Sequence, residues 1–249
     1  MSDWLFDLGN SRFKFAPLQA AGVGVVQAWA HGAEVTTAAA RQALPTGDTA
    51  WVASVAAPAL TAEMLQLLRT RFAHVQVART EAECAGVRIA YARPEKFGVD
   101  RFLALLAAAS IAPVLVAGVG TALTIDLLDA SGLHRGGRIS ASPTTMREAL
   151  HARAVQLPAS GGDYAEFAND TEAALASGCD GAAVALIERS LQHAAALLGQ
   201  RPTLIVHGGG ATPLLPLLPD AVYRPSLVLE GLACWAGHSM RHAARINPC

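Results

Sequence analysis

A carboxylate and a glycine turn stand close together near the beginning of the chain. Asp7 ends an apolar run, Gly9 and Asn10 follow it, and Lys14 lies beyond the turn. The backbone N–H groups of such a turn can bind phosphate oxygens, while the carboxylate can hold a magnesium ion directly or through its waters. A lysine on the returning strand can reach the same phosphates as a point charge. The segment is therefore either a magnesium–phosphate site or an ordinary hairpin with a solvated aspartate.

Two further glycine segments have a similar character. Gly120 and Thr121 can offer a backbone N–H and a hydroxyl to phosphate, and Asp126 follows in an otherwise apolar strand. Three successive glycines at 208–210 would allow a flat ring such as adenine to approach the backbone. Asp126 could instead cap a neighbouring turn, and the glycines could form only a flexible loop. The second hairpin strengthens the phosphate-binding interpretation of the first, because two such hairpins opening two halves form a constellation, whereas both alternatives stay open for 208–210.

A compact charged segment lies between these glycine motifs. Gly98, Asp100 and Arg101 run into an apolar helical pattern, and Tyr91 lies shortly before them. A carboxylate can act as a base toward a hydroxyl, and a guanidinium fork suits an anionic substrate. Asp100 could equally be the N-cap of the helix, a position for which aspartate is a preferred residue. The segment thus predicts a substrate site or a capped helix.

The elements that would position these residues alternate between strands and helices. Apolar runs predict strands within 4–15 and at 50–55, 75–77, 114–116 and 203–206. Helical patterns begin at Pro58, after Arg101 and at about Asp180. The alternation indicates an α/β fold with βαβ units. Because the same hairpin device occurs twice, we predict two similar halves, residues 1–115 and 116–249, that pack tightly.

The composition excludes several classes of protein. Apolar types make up 52 % of the 249 residues, so the chain can bury a large core and is not generally disordered. A net charge of −1 provides no basic field with which to bind nucleic acid. The four cysteines form no CxxC pair, which excludes the common zinc-ribbon spacings and a dense disulfide framework. We expect free thiols in a reducing compartment.

We expect neither a secretory signal in the first residues nor a membrane span in the longest apolar stretch. Asp3 and Asp7 stand where a secretory signal would need a basic start and an apolar run. The longest mostly apolar stretch, 102–120, contains Ser110 and Pro113 and is interpreted as helix, turn and buried strand. We predict a cytoplasmic protein with no membrane or nucleic-acid partner.

In chain order, these motifs resemble those of type III pantothenate kinases. The matching segments are Asp7-Leu8-Gly9-Asn10-Ser11, Gly98-Val99-Asp100-Arg101, Gly120-Thr121-Ala122-Leu123-Thr124-Ile125-Asp126, Gly136-Gly137-Arg138-Ile139, Asn169-Asp170-Thr171, Gly208-Gly209-Gly210 and Leu229-Glu230-Gly231-Leu232. They cover nearly the whole chain, and the second and third are specific in combination. The family belongs to the superfamily of acetate and sugar kinases, Hsp70 and actin. The resemblance implies two similar actin-like (ribonuclease H-like) α/β halves with ATP in the cleft between them.

The resemblance also implies a role for each matching residue. ATP would be bound by Thr121 and by the hairpin residues Asp7, Leu8, Gly9, Asn10, Ser11, Arg12, Phe13 and Lys14, with Asp7 also on the Mg²⁺ side. Pantothenate would be bound by Tyr91, Gly98, Val99, Asp100, Arg101 and Thr171, with Asp100 as the proton acceptor. The reaction implied is ATP-dependent phosphorylation of pantothenate to 4′-phosphopantothenate, the first step toward coenzyme A. The family further implies a homodimer, with Thr171 contacting pantothenate from part of that dimer.

Two positions depart from the family's pattern. Members often have an aspartate, which binds a monovalent cation such as K⁺ or NH₄⁺, where this chain has Gly118. His207 stands where relatives tend to have a small hydroxylated residue. Without the carboxylate the cation loses its strongest oxygen ligand, so we expect activity to depend only weakly on potassium. Asp126 is the nearest substitute ligand in sequence.

Two other functions stay open on the sequence. One is a kinase of the same superfamily that acts on another small alcohol or acid. The other is a non-catalytic ATP-binding accessory factor of a transcription regulator. The pairing of Asp100 with Arg101 favours an enzyme, because a pure binding protein has no need of a base. Gly118 is the strongest argument for the non-catalytic alternative.

Overall fold

A computed structural model describes residues 2–30 and 42–246 of the chain. Contacts divide the chain into two compact units. The first comprises Met1–Ser110, Gly132–His134 and Ser226–Cys249, and the second comprises Ile111–Ser131 and Arg135–Pro225. Residues 226–249, which the sequence-based division assigns to the second half, thus belong with the first unit, and so does the short segment that ends at His134.

The first unit is built on a sheet of six strands in the order β3-β2-β1-β5-β6, with β4 paired to β2. These strands are β1 (Trp4–Leu8), β2 (Arg12–Gln19), β3 (Gly22–Val23), β4 (Gln27–Ala30), β5 (Gly47–Ser54) and β6 (Phe72–Val77). β1 is antiparallel to β2 and parallel to β5, which is parallel to β6. The predicted opening hairpin is confirmed. β6 begins at Phe72, three residues before the predicted Val75; the exposed Ala73 and His74 interrupt the apolar pattern between the buried Phe72 and the half-buried Val75.

The helices of the first unit are α1 (Pro58–Arg69), α2 (Val99–Ala108) and, at the end of the chain, α5 (Leu227–Ile246). α1 begins with proline at its first position, where a missing N–H costs nothing, and buries Met64 and Leu68. α2 is buried along nearly its whole length. α5 packs against it at Gly231, where any Cβ would collide with the carbonyl of Leu103. The glycine therefore permits the close approach that holds α2 in place.

The second unit repeats the strand order of the first. Its sheet runs β11-β10-β9-β12-β13, with β9 (Val114–Val119), β10 (Ala122–Leu128), β11 (His134–Ala141), β12 (Thr203–His207) and β13 (Val222–Tyr223). β9 is antiparallel to β10 and parallel to β12, which is parallel to β13. An antiparallel hairpin followed by two parallel strands occurs in both units. The predicted fold class of two similar α/β halves is confirmed in this topology.

A separate two-stranded ribbon, within the residues of the first unit, joins β7 (Glu83–Cys84) to β8 (Val87–Arg88).

Two helices complete the second unit, α3 (Pro143–Arg153) and α4 (Thr171–Leu198). One face of the sheet packs against α4 through residues that include Leu115, Leu123 and Ile187. The prediction that this helix begins at about Asp180 was wrong. The structure starts it nine residues earlier, where the Asp170 side chain accepts a hydrogen bond from the N–H of Ala173. Glycines are weak helix formers, and two of them, Gly178 and Gly181, obscured the first turns.

Candidate active site

The opening hairpin places a carboxylate and an ammonium side by side on neighbouring strands. Asp7 of β1 is the register partner of Lys14 of β2. The turn between the strands closes through the N–H of Gly9, which donates to the carbonyl of Arg12 at 3.1 Å. Asn10 and Ser11 are exposed at its tip. The tip is thus exposed to solvent, while both charged groups stay on one face.

The alternation of the strands sorts the predicted ATP-binding residues into two groups. Leu8 and Phe13 are register partners, 1 % and 0 % exposed, and pack in the core with Phe6 and Phe15. Successive residues of a strand point to opposite faces, so Asp7 and Lys14 lie on the other face. Leu8 and Phe13 can therefore contact a nucleotide only through their backbone atoms.

The face that carries Asp7 holds unusual charges. Burial raises the pKa of Asp7 to about 7, an effect that Lys14 opposes and the charge of Asp100 reinforces. Burial also lowers the pKa of Lys14, against the attraction of Asp7 and together with the repulsion of Arg12. Two carboxylates and one ammonium thus lie within electrostatic reach of one another, although Asp100 is distant from the others in sequence. Such a cluster is typical of sites that bind a metal or transfer a proton.

Asp100 occupies the first turn of α2 and does not cap it. The N-cap is Gly98, and Asp100 is the second residue of the helix. The capping alternative is therefore wrong for Asp100. A Cβ built at Gly98 would lie 2.6 Å from Oδ1 of Asp100, closer than atoms can approach. Glycine at 98 leaves the space that the carboxylate occupies, which gives the Gly-x-Asp-Arg motif a steric reason.

Next to Asp100, the Arg101 side chain lies in an aromatic setting. Arg101 is 7 % exposed, its guanidinium carbon lies 4.5 Å from the centre of the Phe97 ring, and Nη1 is 3.5 Å from the hydroxyl of Tyr91. Tyr91 and Phe97 pack edge to face at 5.0 Å between ring centres. A guanidinium held against an aromatic face has a fixed orientation from which to bind a carboxylate. The structure thus brings Tyr91, Gly98, Asp100 and Arg101 together, as the sequence predicted, with Val99 between them in the chain.

His134 is a residue of this cluster that sequence reasoning missed. It is fully buried, and its ring lies 4.8 Å from that of Phe97 and 6.0 Å from that of Tyr91. Nδ1 accepts a hydrogen bond from the N–H of Ala90 at 3.4 Å. No motif or spacing in the sequence connects His134 to Tyr91. The contact arises because the fold assigns Gly132–His134 to the first unit, away from its neighbours in sequence.

The second unit has its own exposed turn, between β9 and β10. Gly120 donates to the carbonyl of Ala122 at 2.9 Å, and the carbonyl of Thr121 accepts from the hydroxyl of Thr145 at 2.6 Å. Thr145 belongs to the first turn of α3, whose N-cap is Ser142. Thr121 is exposed in this turn. Asp126 is buried within β10 and does not belong to the turn.

The glycines at 208–210 pack directly against this hairpin. The N–H of Gly210 donates to the carbonyl of Val119 at 3.0 Å. Gly208 has φ +99°, and a Cβ there would collide with the same carbonyl. A glycine is required at 208 both for its backbone conformation and for the close approach. The second and third glycine motifs therefore form one surface of the second unit.

Thr171 lies elsewhere in the second unit. It is the first residue of α4 and lines an open pocket of about 420 Å³ together with Asn169, Asp170 and Leu175. The structure therefore places the Asn169-Asp170-Thr171 motif at a cavity. It does not assign Thr171 to the unit that contains Asp100.

The residues around Asp7 fit a magnesium ion. Within residues 2–30 and 42–246, no group of three or more His, Cys, Asp or Glu side chains could hold a metal by itself. Mg²⁺ does not need such a cage, because it is usually held by one or two carboxylates together with waters and substrate phosphates. Asp7 and the nearby Asp100 supply hard oxygen donors of this kind. The donor set is therefore suited to Mg²⁺ that arrives with a nucleotide.

Comparisons with known proteins agree with this geometry. The profile described as Type III pantothenate kinase matches residues 4–193. A type III pantothenate kinase of Stenotrophomonas maltophilia (strain R551-3) is 76 % identical over 96 % of this chain and 98 % of its own length. Among solved structures, a Campylobacter jejuni protein assigned to the Baf family of transcriptional activators aligns with a TM-score of 0.60, at 18 % identity and 98 % coverage of both chains. MreB 5 of Spiroplasma citri aligns with a TM-score of 0.50, at 11 % identity and 99 % coverage of both chains.

The two kinds of comparison identify the chain at two levels. The structural similarities, all under 25 % identity, show the fold, which is that of actin-like ATPases and sugar kinases. The sequence comparisons show the family. The chain belongs to the type III pantothenate kinases, and it is an enzyme of the kinase class.

Among the described residues, no helix has the length and apolar character to cross a bilayer.

Proposed function

We propose that this enzyme transfers the γ-phosphoryl group of ATP to the primary hydroxyl of pantothenate, giving 4′-phosphopantothenate and ADP in the first step of coenzyme A biosynthesis. The observation that carries the proposal is that Asp7 in the first unit is paired with Lys14 and lies within electrostatic reach of Asp100, the neighbour in sequence of Arg101. Phosphoryl transfer requires positioning and charge neutralisation more than covalent chemistry, and these groups supply both.

Asp100 is the proposed base. As the hydroxyl oxygen of pantothenate bonds to the γ-phosphorus and the bond to the ADP oxygen breaks, the hydroxyl proton passes to the carboxylate of Asp100. Asp7 holds Mg²⁺, which when bound neutralises charge on the phosphates. Lys14 and the backbone of residues 8–13 contact the phosphate groups. Thr121 and the glycines at 208–210 are proposed to bind ATP in the second unit.

Arg101 and Tyr91 are proposed to hold the carboxylate end of pantothenate. Both side chains belong to the aromatic cluster with Phe97 and His134, which fixes the guanidinium in one orientation. Gly98 and Val99 contribute the backbone beside them. Thr171 contacts pantothenate in the proposed homodimer.

The direct test is an assay that couples ADP formation to a spectroscopic signal, run with and without pantothenate. We expect ADP to form rapidly only when pantothenate is present, and one 4′-phosphopantothenate to form for each ADP. Equal ATP hydrolysis with and without pantothenate would disprove the proposed acceptor. A panel of other small alcohols and hydroxy acids distinguishes a relaxed kinase from a specific one.

Arg101→Lys is predicted to weaken pantothenate binding while sparing the chemical step. Lysine keeps the charge but loses the planar group that stacks on Phe97 and reaches Tyr91. We expect the KM for pantothenate to rise by about tenfold or more, which is roughly 1.4 kcal/mol of lost binding, with kcat changed much less. Arg93→Lys is the matched control, because Arg93 is 71 % exposed and pairs only with Glu95 among the ion pairs of the described residues. An unchanged KM in Arg101→Lys would remove Arg101 from the substrate site.

The homodimer is also part of the proposal. Within the described residues of the second unit, Phe167 and Val155 are the most exposed large apolar side chains, at 99 % and 77 %. Contact with a second copy of the chain would remove this apolar surface from water. We predict that Phe167→Asp shifts the protein from a dimer to a monomer in light scattering coupled to size exclusion. Val25→Asp, at an equally exposed position of the first unit (82 %), should leave the mass unchanged. A wild-type protein with a monomer's mass would refute the dimer.

We further propose a cytoplasmic location, where ATP and pantothenate are both available. The cysteines support it, because the buried Cys84 and Cys179 form no disulfide, as is typical of a reducing compartment. The proposed function does not include a requirement for K⁺ or NH₄⁺, because Gly118 stands where family members often have the aspartate that binds such an ion.

A further inference from the structure

The two departures from the family pattern, Gly118 and His207, are neighbours in the sheet of the second unit. In the parallel pairing of β9 and β12, His207 is the register partner of Gly118. On the other side, in the antiparallel pairing of β9 and β10, Thr124 is its partner. Register partners project to the same face of a sheet, so both side chains flank the position where Gly118 has none.

The two flanking side chains fill the space in front of Gly118. A Cβ built there would lie 2.8 Å from Nε2 of His207, 2.8 Å from Oγ1 of Thr124 and 3.1 Å from Cε1 of His207. Real Cβ atoms do not approach other heavy atoms this closely. A side chain at 118 can therefore enter only if both the imidazole of His207 and the hydroxyl of Thr124 move. The ring of His207 and the hydroxyl of Thr124 occupy the volume that an aspartate side chain would need in this fold, and the ring is the larger of the two.

This arrangement does not fit a potassium or ammonium ion. Hard monovalent cations, like other hard cations, need several oxygen ligands, and a carboxylate is the strongest of them. At 118 the carboxylate is absent, and an imidazole, which suits transition metals, stands in its place. The carboxylate of Asp126 does not replace it at this register position, because Asp126 pairs with Val116 and Thr124 pairs with Gly118.

We propose that Gly118 and His207 are a compensating pair: the imidazole occupies the place of the family's carboxylate and cation, and the enzyme works without a monovalent cation. His207 is in this respect a positioning residue, which acts by filling the site. The inference rests on the proposed function, because it concerns the ATP site of a kinase. It extends that function by assigning cation independence to two named residues.

A double-mutant cycle tests the steric half of the proposal. Gly118→Asp alone should lower kcat/KM for ATP by about tenfold, because the imidazole must be displaced. In the His207→Ser background, which removes the imidazole and leaves the small Thr124 hydroxyl to move aside, the same substitution should cost less than about threefold. An equal loss in both backgrounds would show that the two positions are independent and would overturn the pair. His193→Ser, at an exposed position of α4, controls for the loss of a histidine.

A cation titration tests the other half. Initial rates are measured in tetramethylammonium chloride, with potassium chloride substituted at constant ionic strength. The wild-type enzyme should respond by less than about twofold, whereas Gly118→Asp combined with His207→Ser should gain at least about fivefold activation. A tenfold activation of the wild type would overturn the proposal, since another residue would then supply the ligand.

Melting temperatures in the two salts provide a readout without turnover. A ligand that binds only the folded state raises the melting temperature, so a cation site should appear as a higher value in potassium. With a non-hydrolysable ATP analogue present, the wild type should melt at the same temperature in both salts and the double variant at a higher temperature in potassium. A protein that fails to phosphorylate pantothenate would refute the proposed function, yet these melting temperatures would still decide whether the pair excludes the cation. A wild-type melting temperature that rises in potassium would refute the pair alone.

Discussion

Asp100→Asn is expected to lower kcat by about 10²–10⁴-fold while leaving the enzyme folded. The amide has the size of the carboxylate and fits the space beside Gly98, but it cannot accept the proton of the attacking hydroxyl. Since Asp100 is not the N-cap of α2, the substitution removes no capping hydrogen bond of that kind. We therefore expect a melting temperature close to that of the wild type together with the loss of turnover.

Two measurements separate a base from a merely structural residue. ATP and pantothenate should still bind to Asp100→Asn in calorimetry, because the loss lies in the chemical step. The pKa of Asp7, followed by carboxyl NMR, should fall, because the charge of Asp100 contributes to its elevation. Asp163→Asn, at an exposed site of the second unit, is the control for the loss of one negative charge. Near wild-type turnover in Asp100→Asn would exclude Asp100 as the base.

Asp7→Asn should be nearly inactive at limiting magnesium, with turnover reduced by about 10²-fold or more. The amide is a poor substitute for the carboxylate that holds the ion, so Mg·ATP binding weakens. Pantothenate binding should stay measurable by calorimetry, because Arg101 and Tyr91 are untouched. Asp48→Asn, on β5 of the same sheet, is the matched control. Unchanged activity at limiting magnesium would return the Asp7 segment to the status of an ordinary hairpin.

The same substitution should make the free protein more stable at high pH. Folding raises the pKa of Asp7 from its ordinary 3.8 to about 7, chiefly through burial. The folded state then binds the proton more tightly than the unfolded state. The contribution of Asp7 to the free energy of unfolding is therefore fully present below pH 4 and is lost as the pH rises through 7. The Asn variant has no titrating group here, so its stability does not fall in this way. Its melting temperature relative to the wild type should therefore be higher at pH 8 than at pH 5, and a pH-independent difference would contradict the elevated pKa.

Loss of activity with a gain of stability is the signature of a group kept for function. Burying an ionisable carboxylate opposes folding. A purely structural Asp7 would show the opposite result, with the Asn variant less stable at neutral pH. The two readouts of Asp7→Asn thus discriminate between the roles independently of each other.

Local sequence determined the hairpins and much of the order of elements. Side chains alternate between the two faces of a strand, so Asp7 and Lys14, which are register partners, lie on the same face of the hairpin. The N–H of Gly9 closes the turn between them. The repeated hairpin likewise predicts a repeated sheet order, which the second unit has. These features depend on residues a few positions apart, so the pattern is visible in the chain itself. Helix α4 is the exception, because glycines within it hid its first turns.

Contacts between distant segments were decided only by the tertiary structure. Asp100 influences Asp7 because the helix that carries it lies in the same unit as β1, held by the close packing at Gly231. His134 contacts Tyr91 and Phe97, although helix α2 and the β9–β10 hairpin lie between them in the chain. The motifs indicated which residues to consider, but no local pattern predicts which of them meet.

The Gly118 position shows the difference most directly. The resemblance to the family implies that a carboxylate is missing there and that His207 departs from the usual pattern, as two separate expectations. Strand register connects the two positions, because the pairing of β9 with β12 places the imidazole of His207 in the space beside Gly118. Register depends on hydrogen bonds and burial along whole strands, and these are set by the assembled sheet. A single sequence therefore reveals the residues of this site, while the fold determines what each of them touches.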